Sequence, residues 1–151
     1  MTAVTAVRLT GRSLVIGELF ERLTRRVTTD EGYEPALAVR VMDQALAFLG
    51  TCAVSHTEPL SPSRMVDPGW HAFVLHTRDY REFCERIASR FIDHVPTNDT
   101  SIGTGGLLRT VNAMRAAGYV VDSDLWLASG QAKCSQCHNG CHDDPPPPPA
   151  V

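Results

Sequence analysis

Asp67-Pro68-Gly69-Trp70-His71-Ala72-Phe73-Val74-Leu75-His76-Thr77-Arg78-Asp79-Tyr80-Arg81-Glu82-Phe83-Cys84-Glu85-Arg86-Ile87 is the stretch that decides the fold. Phe73, His76, Tyr80, Phe83 and Ile87 recur at three and four residues, the spacing of one buried helical face, and Phe91 continues it. Asp67 reads as a carboxylate cap and Pro68 as a first-turn residue whose missing N–H has no partner to lose there. Thr77 to Asp79 is a place where the run can divide, because Asp79 and Glu82 could open a new helix. On one continuous helix His76 lies on the apolar face with Tyr80 and Ile87, and His71 falls about 140° away. Val95-Pro96 closes the segment.

The flanks read the same way. Leu14, Ile16, Leu19, Phe20, Leu23 and Val27 form an apolar stripe behind a Ser13 cap. Pro35 starts a second helix carrying Leu37, Val41, Ala45 and Phe48, and Gly50 ends it. A further helix holds Leu108, Val111 and Met114, with Gly118 as its stop. The spacing predicts helices near 13–27, 35–49, 68–90 and 105–117, and a short strand or extended arm from Tyr119 to Trp126. The fold class expected is all-α: one small domain of about four to five helices with a cysteine-rich C-terminal extension. Its expected parts are a lead at 1–12, the helical domain at 13–128, a Cys/His-rich segment at 129–143 and a polyproline tail at 144–151.

The bulk numbers narrow the function classes. A chain of 151 residues, 43% hydrophobic and 21% charged, suits one domain with a core of its own. A net charge of −3 offers no basic footprint, so nucleic acid is not an expected partner. No uninterrupted apolar run approaches the ~18 residues of a membrane span, and no signal-peptide pattern opens the chain, so no membrane is expected. The expected location is cytoplasmic. A reducing compartment and an odd cysteine count favour thiolate ligands over disulfides. Arg dominates the basic residues, Lys133 being the one lysine, which fits a GC-rich bacterial genome.

The densest chemistry lies near the C-terminus. In Cys134-Ser135-Gln136-Cys137-His138-Asn139-Gly140-Cys141-His142, three thiols and two imidazoles fall within nine residues. These are the ligand types zinc takes, and a Cys-x2-Cys step lets two thiolates reach one ion. Cys134, Cys137 and Cys141 are the expected zinc ligands, with His142, His138 or a residue of the helical domain, His94 first among them, as the fourth. An iron–sulfur cluster is the other cofactor weighed. A solvated thiol-rich tail is the bland alternative. The stretch has too little apolar material to fold without a metal or a docking surface. Covalent haem attachment at Cys134-x-x-Cys137-His138 would need export, and a thioredoxin-type pair would need a preceding strand and a following helix that the chain does not supply. Pro145 to Pro149 is a stiff, solvated run that could space or dock a partner.

The second constellation is His71, His76, Tyr80, Cys84 and His94 on the long helical hairpin. It reads as a candidate pocket or second metal site, set against the plain alternative of core histidines satisfied by one or two hydrogen bonds. No Ser-His-Asp order, phosphate loop or dinucleotide fingerprint appears.

The Pro62-Ser63-Arg64-Met65-Val66-Asp67 lead, Trp70-His71 with His76-Thr77, Tyr80, Cys84, and the Phe91-Ile92-x-His94-x-Pro96 ending together resemble small actinobacterial proteins described as glycine-rich-domain-containing. Ala117-Gly118-Tyr119-Val120-Val121-Asp122 with Leu125-Trp126, and the Cys134/Cys137/Cys141 ending, are similar to the same group. The Asp67-x-x-Trp70-His71 element resembles one in plant glycine-rich domain proteins. The resemblance spans roughly residues 35–142. The chain departs from it in holding only 11 glycines, in placing Phe73 where a second histidine often follows the first, and in placing Asp93 before His94 where a His-His pair is expected. A carboxylate in that setting can still ligate zinc or orient a histidine. The resemblance implies fold and motif boundaries and carries no settled activity. Two functions are therefore expected from the sequence: a zinc-binding helical accessory or interaction protein, or a small metal- or histidine-dependent enzyme centred on His71, His76 and His94. Whether the chain is an enzyme, and its oligomeric state, stay open at this level.

Overall fold

A computed structural model of the chain describes residues 6–56, 59–95 and 104–128. A 3-10 turn, Gly11–Leu14, leads into α1 (Gly17–Glu31), α2 (Pro35–Val54), α3 (Asp67–Leu75), α4 (Thr77–Ala88) and α5 (Thr104–Ala116), and a π turn spans Asp124–Ala128. Among the described residues there is no strand, only an isolated parallel bridge between Leu9 and Tyr119. The mostly helical architecture is the one the apolar spacing predicts.

α2 is the hub. It packs against the 3-10 turn, α1, α3, α4 and α5. Val41, Met42, Ala45, Leu46, Phe48 and Leu49 are all buried on it. Each fully buried Leu, Phe or Met side chain contributes about 1.5–3 kcal/mol. By length and composition α2 could cross a membrane, but 67% of its most apolar window is buried inside the protein. Arg40, Asp43 and Gln44 also interrupt it, so it reads as a core helix.

Several local expectations need correction. α2 runs to Val54, past Gly50, which was expected to end it. Gly50 has a different role: a Cβ there would collide with the Tyr119 hydroxyl and with Leu14, so the glycine admits two packed neighbours instead of stopping the helix. α1 begins at Gly17, not Ser13; the Ser13 hydroxyl bonds the Thr10 carbonyl at 2.6 Å within the 3-10 turn. Ile16 consequently sits at the helix entry and is 69% exposed instead of joining the stripe. The lead-in is built into the fold from Leu9, whose N–H donates to the Gly118 carbonyl and whose carbonyl accepts from Val120.

The long hairpin does divide, at His76, which ends α3 and precedes α4 with ψ 68. The break turns the His76 ring back onto its own helix, where Nδ1 lies 2.9 Å from the Ala72 carbonyl. His76 is therefore half-buried, not the core residue a continuous helix implies. Asp67 does not cap α3 either. Val66 holds that position, and the Ser63 hydroxyl and carbonyl receive the N–H groups of Val66 and Asp67. That frees the Asp67 carboxylate. α3 lies close on α2 because Gly69 faces Val41 and Ala45, where a Cβ would stand 2.8 Å from the Ala45 methyl.

Candidate functional site

Two extended arms return to the helices. The first follows α4. Ser89 adopts a left-handed conformation, φ 53, and turns the chain back along the hairpin. Arg90 donates to the Cys52 carbonyl at 2.8 Å. Ile92 is buried, and its carbonyl accepts a 2.5 Å hydrogen bond from the Tyr80 hydroxyl. The same hydroxyl accepts from the Trp70 indole N–H at 2.9 Å. One buried phenol thus ties α3, α4 and the arm together. Phe91, placed by its spacing on the buried face, instead rides on the Tyr80 ring and is 50% exposed.

Two residues on, the arm sets His94 over Trp70, edge to face, with ring centroids 4.5 Å apart and planes at 79°. His94 Nε2 lies 3.0 Å from Asp67 Oδ1. The imidazole is mostly covered, 11% exposed, while the carboxylate is 44% exposed. His71, one helical turn after Asp67, brings its ring centroid to 5.7 Å from that of His94. The site is a carboxylate–histidine pair on a tryptophan floor with a second, exposed histidine at its rim. A proton between an imidazole nitrogen and an ionised carboxylate sits on the nitrogen, so the pair fixes His94 with Nε2–H toward Asp67 and its lone pair on Nδ1.

The second arm, residues 119–128, lies along α2. Gln44, 2% exposed, satisfies it on both sides of its amide. Its Nε2 donates to the Val120 carbonyl at 3.0 Å and to Asp43 at 3.1 Å; its Oε1 accepts from Asp122 N at 3.0 Å and from the Trp126 indole at 2.8 Å. Arg40 grips Asp122 bidentately at 2.7 and 2.9 Å and reaches Asp124 at 3.2 Å. Ser63 donates to the Leu125 carbonyl at 2.7 Å. Trp126 packs on Phe48, which packs on Trp70, so ring contacts lead from this arm to His94.

Of the sequence-predicted pocket, the structure unites His71 and His94. Tyr80 serves as a buried anchor, and burial pushes its phenol above the ordinary range, opposed by the Trp70 N–H. Cys84 is fully buried in the core. Burial likewise pushes the Cys52 thiol up to about 12, which keeps it neutral and a poor ligand. Cys134, Cys137, His138, Cys141 and His142 lie outside the described residues. Among the described residues, no three His, Cys, Asp or Glu side chains form a ready-made metal set, and no buried side-chain N or O lacks a partner. A shallow groove of about 290 Å³ between α1 and α2, lined by Glu21, Arg25 and Val39 among others, includes none of the site residues.

Fold and site together define a small helical domain presenting a carboxylate-oriented histidine. A family model described as UCP032817-like matches residues 17–104, more than half of the chain, and the protein belongs to that family. The match takes in Asp67, Trp70, His71, Tyr80 and His94 and stops before the second arm and the cysteines. The family description names no activity. Neither the curated proteins nor the solved structures gave a match.

Proposed function

We propose that this protein is a zinc-binding helical accessory protein, with Cys134, Cys137 and Cys141 as thiolate ligands and one histidine completing the set. The observation that carries the reading is the ligand density of the Cys134–His142 stretch, at a spacing one ion can use. The second arm, tied to α2 through Trp126 and Gln44, precedes the cysteine segment in the chain. Five residues separate Ala128 from Cys134, a reach of about 20 Å when extended. His138 or His142 completes the set, or else His94 from the helical domain. A saturated four-ligand site is a structural one and favours an interaction role over catalysis. The test is the metal content of protein purified without chelator, compared with that of the Cys134→Ser, Cys137→Ser variant.

One observation favours the second reading, a small metal- or histidine-dependent enzyme. The Asp67–His94 pair is the arrangement that orients a general base or a metal-bound histidine. Its residues reduce to His71 and His94, since His76 is engaged by its own helix.

A further inference from the structure

We propose a second metal position, independent of the cysteines: His71 and His94 together hold one borderline divalent cation, with Asp67 orienting His94 from behind. It goes beyond the cysteine reading, leaves His138 or His142 as the fourth ligand of the cysteine set, and stands whether or not that reading holds.

Asp67 and His71 are one turn apart on α3, so both project from one helix face. His94 arrives from the returning arm and meets both, Asp67 by a 3.0 Å contact and His71 at a ring separation of 5.7 Å. Two imidazoles bound to one ion at ordinary zinc–nitrogen distances, with tetrahedral angles, have ring centroids about 5 Å apart. The difference is within the reach of the exposed His71 side chain, while His94 is held by Trp70 and Asp67. With Nε2–H given to the carboxylate, His94 presents Nδ1 as its ligating nitrogen. This is the carboxylate–histidine–metal arrangement in which the outer carboxylate sets tautomer and ring orientation. Two imidazoles select zinc, nickel or copper(II) over magnesium or calcium. Two protein ligands also leave coordination positions for water or a bound small molecule, unlike a closed structural site.

The experiment uses the full chain carrying Cys134→Ser, Cys137→Ser and Cys141→Ser, so that tail thiols do not compete. Zn2+ is titrated calorimetrically, and Cu2+ is titrated while tryptophan emission is followed, because Trp70 lies against His94. The expected result is one Zn2+ per chain and Cu2+ quenching. Adding His71→Ala or His94→Ala should abolish both, and Asp67→Asn should weaken binding roughly 10- to 100-fold. If the parent binds no Zn2+, or if His71→Ala binds it as tightly as the parent, the proposal is overturned. His71 is exposed, so its variant decides the matter even if His94→Ala fails to fold. Failure of the cysteine reading would appear elsewhere, as equal metal content in wild-type and cysteine-variant protein.

Discussion

The two returning arms are held in opposite ways. Residues 119–128 are locked by one buried amide with four partners, backed by a bidentate arginine and a serine. Residues 90–95 hang from a single buried phenol, an arginine and the packing of Phe91 and Ile92, and end on one placed histidine. The 119–128 arm closes the fold; the 90–95 arm presents a side chain. Over-determined anchoring suits a segment that must not move. Sparse anchoring around a precisely oriented imidazole suits a segment whose product is a site. Only the 90–95 arm lies inside the UCP032817-like match.

The comparison can be broken at Gln44. Gln44→Leu removes the buried acceptor of the Trp126 indole N–H and the half-buried amide bonds to the Asp122 N–H and the Val120 carbonyl. Each such loss costs about 1–3 kcal/mol, and with water reaching some of them the net loss should be about 3–5 kcal/mol by denaturant unfolding. A loss below about 1 kcal/mol would show that the amide is dispensable and the 119–128 arm is not locked.

Tyr80→Phe sharpens the contrast. It removes the hydroxyl shared by Trp70 and Ile92 without changing the ring, so stability should fall by about 1–3 kcal/mol. The more telling readout is His94, whose NMR signals should lose the shifts that come from the Trp70 ring as the arm loosens. Unchanged His94 signals in a destabilised variant would mean the phenol supports the core and not the site.

The smallest effect is expected at Arg40→Ala. Its partners Asp122 and Asp124 are bonded on the surface, with Arg40 45% exposed, so the loss should stay within about 0.2–1 kcal/mol. A larger loss would move the anchoring of the 119–128 arm from the buried amide to the surface ion pairs.

Helices were legible from the sequence because apolar periodicity is a local signal. Leu19, Phe20, Leu23 and Val27 announce α1, and Phe73, Tyr80 and Phe83 announce α3 and α4. Their ends were less so. Gly50 carries the residue type of a stop, but Tyr119, far along the chain, fills the space beside it and makes it a packing residue. The site was half legible. His71 and His94 stood out by type, but the partner that orients His94 was misread, since Asp67 before a proline looks like a cap and 27 residues separate the pair. Gln44 gave no signal at all. A lone glutamine on an apolar helix acquires meaning only when residues 76 to 82 positions later fold back against it.

Metal content tests the central claim most directly. Wild-type protein purified under reducing conditions without chelator should carry about one zinc per chain more than the Cys134→Ser, Cys137→Ser variant by elemental analysis. Because thiolate ligands must be deprotonated, the zinc should also dissociate as pH falls. Equal and negligible metal in wild type and variant would contradict the account and leave Cys134, Cys137 and Cys141 as a thiol-rich extension of a helical domain.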